Sequence, residues 1–288
     1  MKTALVNLHG RAALRRGDGA VDLEKASRGA LPSDPMAAIR AWDVVRDWAA
    51  ASLAGASEGL VTTLDEAALG PPVPFPAQVF ALGLNYRDHA AEAGLELPKS
   101  PMIFTKFPSC LAGPRAAVPI GSSRVDWEVE LVAVIGRGGR NIPEAKALEH
   151  VAGYCVGQDV SDRRLQFSDT PAQFSLGKSL ANFGPIGPAV ISLDAIPDPN
   201  DLALTCDVSG ERMQSARTSL MVFSVPETIA YLSRHCTLLP GDLIFTGTPA
   251  GVGSVRNPRR YLAVGDEITS EIEHLGTLVN RCVAPAAE

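Results

Sequence analysis

Apolar positions along this chain fall mostly into short runs bounded by glycine, proline and polar turns, the pattern of a β-rich protein with a few helices. Residues 3–8 and 20–23 read as strands around a turn at Arg16-Gly17-Asp18-Gly19. Ser33-Asp34-Pro35 then caps a helix with proline at its first position. Met36, Ile39, Trp42, Val45 and Trp48 recur every three residues along it and form a core stripe, not a cofactor box. Gly70-Pro71-Pro72-Val73-Pro74-Phe75-Pro76 can be neither helix nor central strand, because its prolines remove donors and fix φ. It divides a small N-terminal domain (1–70) from a main domain (77–288), with 71–76 as linker.

The main domain opens with a strand over 78–83 and a short helix that Asp88 can cap and Gly94 ends. A strand over 101–109 carries Lys106, and Pro143–His150 predicts a short helix. Asp162 to Gln166 reads as a polar turn, and Lys178 lies in a glycine- and proline-containing stretch from Gly177 to Pro188. Strands follow near 189–192 and 202–208. Ser224-Val225-Pro226-Glu227 is a capping box for a helix ending near His235. A glycine-rich loop, Gly247-Thr248-Pro249-Ala250-Gly251-Val252-Gly253, can turn N–H groups and the Thr248 hydroxyl toward an anion. A final strand pair occupies about 266–273 and 277–283. The sum is a mixed, β-rich α+β chain.

The chemistry gathers on Val125-Asp126-Trp127-Glu128-Val129-Glu130-Leu131-Val132-Ala133-Val134-Ile135-Gly136. Alternation along a strand puts Glu128 and Glu130 on one face and Trp127, Val129 and Leu131 on the other. Two close carboxylates repel unless water or a cation separates them, so this is either a half-exposed strand with a wet polar face or a cation site. A third acid, Asp159, ends the next short strand, and ligand sites in sheet proteins gather at strand ends. Three hard oxygens without histidine or cysteine in matching spacing suit magnesium, with manganese or calcium as alternatives, and serve zinc poorly. On the helix after residue 83, His89 and Glu92 lie three apart on one face. They form either a base with its orienting carboxylate or an incidental solvated pair.

Composition narrows the class. The 46 % hydrophobic and 20 % charged content is that of a globular protein, and a net charge of −6 with scattered basic residues gives no footprint for nucleic acid. Five widely spaced cysteines without a C-x-x-C suit a reducing compartment, and neither a signal peptide nor a membrane-length apolar run is present, so a cytoplasmic location is expected. The Gly136–Asn141 segment lacks the third glycine of a dinucleotide fingerprint, and the Gly247–Gly253 loop lacks the lysine of a P-loop. Ser175-x-x-Lys178 has no accompanying β-lactamase boxes.

Five linked motifs resemble the fumarylacetoacetate hydrolase superfamily: Gly83-Leu84-Asn85-Tyr86-x-x-His89-x-x-Glu92, Asp126-x-Glu128-x-Glu130-Leu131, Gln158-Asp159-Val160-Ser161, Gly177-Lys178-Ser179 and Thr246-Gly247-Thr248-Pro249-x-Gly251-Val252-Gly253. The resemblance implies a β-sandwich or roll catalytic domain, a small β-rich N-terminal domain and assembly as a homodimer. It implies that Glu128, Glu130 and Asp159 hold magnesium, and that His89 with Glu92 activates water on a segment that closes as a lid. Lys178 and Lys106 would then meet substrate oxygens, Thr248 a substrate carboxylate, and Arg87 and Gln166 further parts of the substrate. The implied reaction is hydrolysis of a C–C bond in a β-diketo acid of the acylpyruvate, fumarylpyruvate or deoxy-sugar-acid type. Decarboxylation of oxaloacetate, or isomerisation of a 2-hydroxyhepta-2,4-diene-1,7-dioate, could use the same site. Ala181-Asn182 and Arg164 depart from the commonest family pattern, away from the expected metal ligands.

Overall fold

The computed structural model describes residues 3–56 and 58–286, so residues 1, 2, 57, 287 and 288 of the two expected domains lie outside the described residues. The chain opens with an antiparallel meander, β1 (Ala4–Leu8), β2 (Arg11–Arg16) and β3 (Gly19–Asp22). The Arg16–Gly19 turn therefore joins β2 to β3. The sequence reading missed β2, whose two central alanines carry little hydrophobic signal. Three helices follow: α1 (Leu23–Ala26), α2 (Pro35–Arg40) and α3 (Trp42–Trp48). Asp34 caps α2 by accepting from the Ala37 N–H at 2.7 Å, with Pro35 in the first turn. The single expected helix breaks at Ala41, yet Met36, Ile39, Trp42 and Val45 are all buried as its stripe requires. Short β4 (Val61–Thr63) and β5 (Leu69–Gly70) precede the proline-rich segment.

Beyond it lie β6 (Val79–Gly83), α4 (Arg87–Glu92), β7 (Met102–Thr105), β8 (Leu111–Ala112), β9 (Val118–Pro119) and β10 (Val125–Asp126). The central strands are β11 (Val129–Ile135), β12 (Val151–Gln158), β13 (Ser161–Asp162) and β14 (Gly184–Ile191), with α5 (Arg163–Gln166) and α6 (Phe174–Gly177) between the last two. The C-terminal part adds β15 (Ala203–Val208), β16 (Glu211–Arg217), α7 (Val225–His235), β17 (Leu243–Phe245), β18 (Glu267–Ile272) and β19 (Gly276–Val283). The capping box of α7 is present, Ser224 and Glu227 each reaching the other's N–H. Asp88, by contrast, sits inside α4, where Tyr86 is the N-terminal boundary and no side chain caps.

A large sheet runs β4-β3-β2-β1-β14-β12-β11-β17-β6-β7, with β5 on β1 and β8 on β14. A second, five-stranded sheet runs β16-β15-β18-β19-β9, and β10 pairs with β13 alone. Trp127, Val129, Leu131, Ala133 and Ile135 pack in one core with Leu204, Cys206, Ile268 and Leu278 of the five-stranded sheet. Val132 and Val134 face the other way, into a core with Ile39, Trp42 and Val45 of the N-terminal helices. The central strands are thus buried on both faces, which explains the near-continuous apolar run of β11 and removes the half-exposed alternative. Residues 4–70 share this sheet through β1–β14 pairing and share the second core, so the proline-rich segment is a crossing within one packed unit. Among the described residues no helix is long and apolar enough to cross a membrane.

Candidate active site

At Trp127–Glu128 the chain passes from the β10–β13 pair into the large sheet as β11. This crossing and the end of β12 bring Glu128, Glu130 and Asp159 together, one oxygen of each lying within 4.8 Å of the others, all three side chains buried. Asp159 is held beside Glu128 by its own N–H, which donates to the Glu128 carbonyl at 2.9 Å. Lys178 Nζ sits between the two, donating to Glu128 Oε2 and Asp159 Oδ2 at 2.7 Å each and to Ser161 Oγ at 2.8 Å. Arg163 donates to Glu128 Oε1 at 2.6 Å, to Asp126 Oδ2 at 2.9 Å and to Gln166 Oε1 at 2.9 Å.

Four buried carboxylates, Asp126, Glu128, Glu130 and Asp159, therefore meet three buried cations, Lys106, Lys178 and Arg163. The excess negative charge falls on Glu130. Its Oε2 accepts the Gly247 N–H at 2.8 Å, while Oε1 is buried without a partner. Burial, then Asp159 and Glu128, push its carboxyl well above the usual range. Burial would raise Glu128 too, but Lys178 and Arg163 hold it below that range. An orphaned carboxylate oxygen beside two more hard oxygens fits a divalent cation, and one such ion would turn the local charge from −1 to +1, suited to an anionic ligand.

A cavity of about 270 Å³ opens on this cluster. Glu128, Lys178, Arg163, Gln166, Thr248 and His89 line its polar side, and Met102, Phe104, Phe167, Phe174 and Leu95 its apolar side. His89 Nδ1 lies 2.8 Å from Glu92 Oε1, which fixes the ring and leaves Nε2 for the cavity. Glu92 Oε2 in turn accepts the Gly251 N–H at 2.9 Å. The glycine-rich loop does turn N–H groups toward anions, but these are the protein's own: Gly247 to Glu130, Gly251 to Glu92 and Gly253 to Asp126. Gly247 takes φ +92°, and a Cβ there would meet Asn85 Cβ at 2.7 Å, so this donor position requires glycine.

Of the other expected contacts, Gln166 and Thr248 line the cavity, while Lys106 and Arg87 do not. Lys106 is not among the cavity residues: it is buried and donates to Asp159 Oδ1 at 2.7 Å, to the Phe183 carbonyl at 3.2 Å and to the Lys178 carbonyl. All three of its protons are thereby used inside the protein. Thr248 lines the cavity, yet its hydroxyl proton goes to the Val129 carbonyl at 2.9 Å. Arg87 is exposed and outside the cavity lining. Arg163 was overlooked, because Asp162-Arg163-Arg164 reads as a turn. The available signal was Asp162, whose carboxylate caps α5 at the Arg164 N–H (2.9 Å) and so aims Arg163 inward.

Residues 78–283 match the fumarylacetoacetate hydrolase C-terminal family model. The chain belongs to this family. A bovine (Bos taurus) mitochondrial oxaloacetate tautomerase, FAHD2B, is 46 % identical over 214 residues, 74 % of this chain and 68 % of the bovine one. A crystal structure of a Mycobacterium smegmatis protein provisionally called HpcE superposes with a TM-score of 0.91 at 48 % identity, covering 99 % of this chain and all of that one. Maleylpyruvate hydrolase from Sphingobium sp. SYK-6, solved with manganese(II) and pyruvate, gives 0.80 at 27 % identity over 98 % of this chain and all of that one. The β-rich α+β architecture is that of the family, and the chain is a fumarylacetoacetate hydrolase family enzyme.

Proposed function

We propose that this enzyme hydrolyses a C–C bond of a 2,4-dioxo acid of the acylpyruvate type, releasing pyruvate or a related 2-oxo acid and a carboxylic acid. One observation carries the reading: a histidine paired with a carboxylate lines the same cavity as Glu128 of the three-carboxylate cluster, and the rest of that cavity is largely apolar. Magnesium or manganese held by Glu128, Glu130 and Asp159 would supply a Lewis acid for the 2-oxo acid oxygens and the negative charge that develops on them. His89 Nε2 takes the proton of a water that attacks the distal carbonyl, while Glu92 holds the opposite nitrogen and balances the imidazolium. Lys178 gives positive charge beside the fragment that departs as an enolate when the C–C bond breaks, and the proton held on His89 passes to that fragment to give the 2-oxo acid. Phe104, Phe167 and Phe174 pack edge to face and give the acyl chain an apolar wall.

The identity to the oxaloacetate tautomerase favours a second reading, in which His89 relays a proton between carbon and oxygen of a small 2-oxo diacid and no C–C bond breaks. Incubating the magnesium-loaded enzyme with acylpyruvates and with enol-oxaloacetate in ¹⁸O-water separates them. Hydrolysis puts solvent oxygen into the released carboxylate. Rapid loss of the enol absorbance with neither pyruvate nor labelled acid would replace the first reading by the second.

A further inference from the structure

Where the chain crosses between sheets at Trp127–Glu128, the backbone N–H groups lose the regular ladder. A buried N–H left without a partner costs about 1–3 kcal/mol, so something must take them. Two glutamines do. The Glu128 N–H donates to Gln158 Oε1 at 2.9 Å, and the Val129 N–H donates to Gln214 Oε1 at 3.0 Å. Each glutamine is anchored at its other end: Gln158 Nε2 donates to Ser270 Oγ at 3.0 Å and to Cys206 Sγ at 3.4 Å, and Gln214 Nε2 to Thr248 Oγ1 and the Pro249 carbonyl, both at 2.8 Å. Thr248 then donates to the Val129 carbonyl, which closes a ring around Val129, the residue next to Glu128. Both amides are fully buried, at 0 % and 1 % exposure.

The anchors give the arrangement its meaning. Gln214 lies on β16 and Ser270 on β18, both in the five-stranded sheet, so the crossing is gripped from the opposite layer. Only a side chain with an acceptor and a donor on one short fork can satisfy a backbone N–H and a second oxygen at once, which is the chemistry of an amide. We infer that Gln158 and Gln214 are positioning residues for metal binding: they fix the peptide that carries Glu128, and hence the direction of its carboxylate toward Glu130 and Asp159. This rests on the metal reading of the three carboxylates given above. Outer partners of this kind, when removed, weaken metal affinity about 10–100-fold.

The test is a titration of EDTA-stripped protein with Mn²⁺ alone, followed by the electron paramagnetic resonance of the free aqueous ion, with circular dichroism as the check on folding. Wild type is expected to bind and Glu130→Ala to lose binding; no binding by wild type would remove the metal reading itself. Given wild-type binding, Gln158→Leu and Gln214→Leu should raise the Mn²⁺ Kd about tenfold or more at temperatures where they remain folded. Ser270→Ala combined with Cys206→Ala leaves the Glu128 N–H its acceptor and frees only the far end of Gln158, and should raise Kd a few-fold. Folded leucine variants with wild-type Kd would overturn the inference, since a purely structural pair would lower Tm and leave affinity alone. If the leucine variants do not fold, the Ser270→Ala/Cys206→Ala pair decides: a raised Kd upholds the clamp and an unchanged one refutes it.

Discussion

Replacing Glu130 by glutamine should make the metal-stripped protein more stable while abolishing metal binding. The carboxylate is fully buried, its Oε1 has no partner, and the surrounding ion pairs already satisfy Asp126, Glu128 and Asp159. An amide of the same shape keeps an oxygen for the Gly247 N–H and turns its NH₂ toward the neighbouring carboxylates. Relief of one unsatisfied, charged, buried acceptor amounts to about 1–3 kcal/mol. At about 2–4 °C per kcal/mol for a chain of this size, the Tm in EDTA should rise by several degrees. The pH dependence carries the sign. Glu130 is raised in the folded state, so folding takes up a proton, and this group's contribution falls as pH rises from the unfolded carboxylate value through the raised folded one. The stability difference between Glu130→Gln and wild type should therefore widen across that interval. Calorimetric scans of both proteins from acid to neutral pH, with EDTA and with Mn²⁺, measure it. A glutamine variant that is less stable than wild type in EDTA, or that still gains stability from Mn²⁺, would refute the reasoning.

Lys106→Met should destabilise by about 1–3 kcal/mol in urea unfolding, because it leaves Asp159 Oδ1 buried without its donor while Lys178 still holds Oδ2, whereas a lysine serving substrate would show itself in KM. His89→Ala should lose hydrolysis by a factor of about 10²–10⁴ with Mn²⁺ affinity unchanged, as read by steady-state kinetics and the same titration. Borohydride treatment with substrate should leave the mass of Lys178-containing peptides unaltered, since that ammonium is held by two carboxylates and a hydroxyl and is not free to form an imine.

What could be read from the chain depended on how local the cause was. Strict alternation placed Glu128 and Glu130 on one face, and a strand-ending acid placed Asp159 near them; both follow from spacing of two residues and one turn of backbone. The His89–Glu92 contact follows from helical spacing in the same way. Lys106 misled because its strand ends at Thr105, after which the lysine turns inward to partners more than fifty residues away. Arg163 and the two glutamines were invisible for a related reason. Apart from the local Arg163–Gln166 contact, their partners lie 30 to 112 positions off in sequence, and only the assembled sheets bring them within reach. The N-terminal strands could be recognised, but not their edge-to-edge union with β14, because pairing register depends on the partner as much as on the strand.

That union bears on how such a protein can be cut and recombined. The family match begins at residue 78, which invites treating the preceding part as a detachable module. Yet Ile39, Trp42 and Val45 cover Val132 and Val134, the continuation of the very strand face that presents Glu128 and Glu130. An exchange of N-terminal segments between relatives would therefore graft a new lining onto the same face of β11, next to those carboxylates. Chimaeras joined in the proline-rich segment should succeed only when the donor's helices match the shape of that valine face, and drift in one half of the chain should be answered by compensating change in the other.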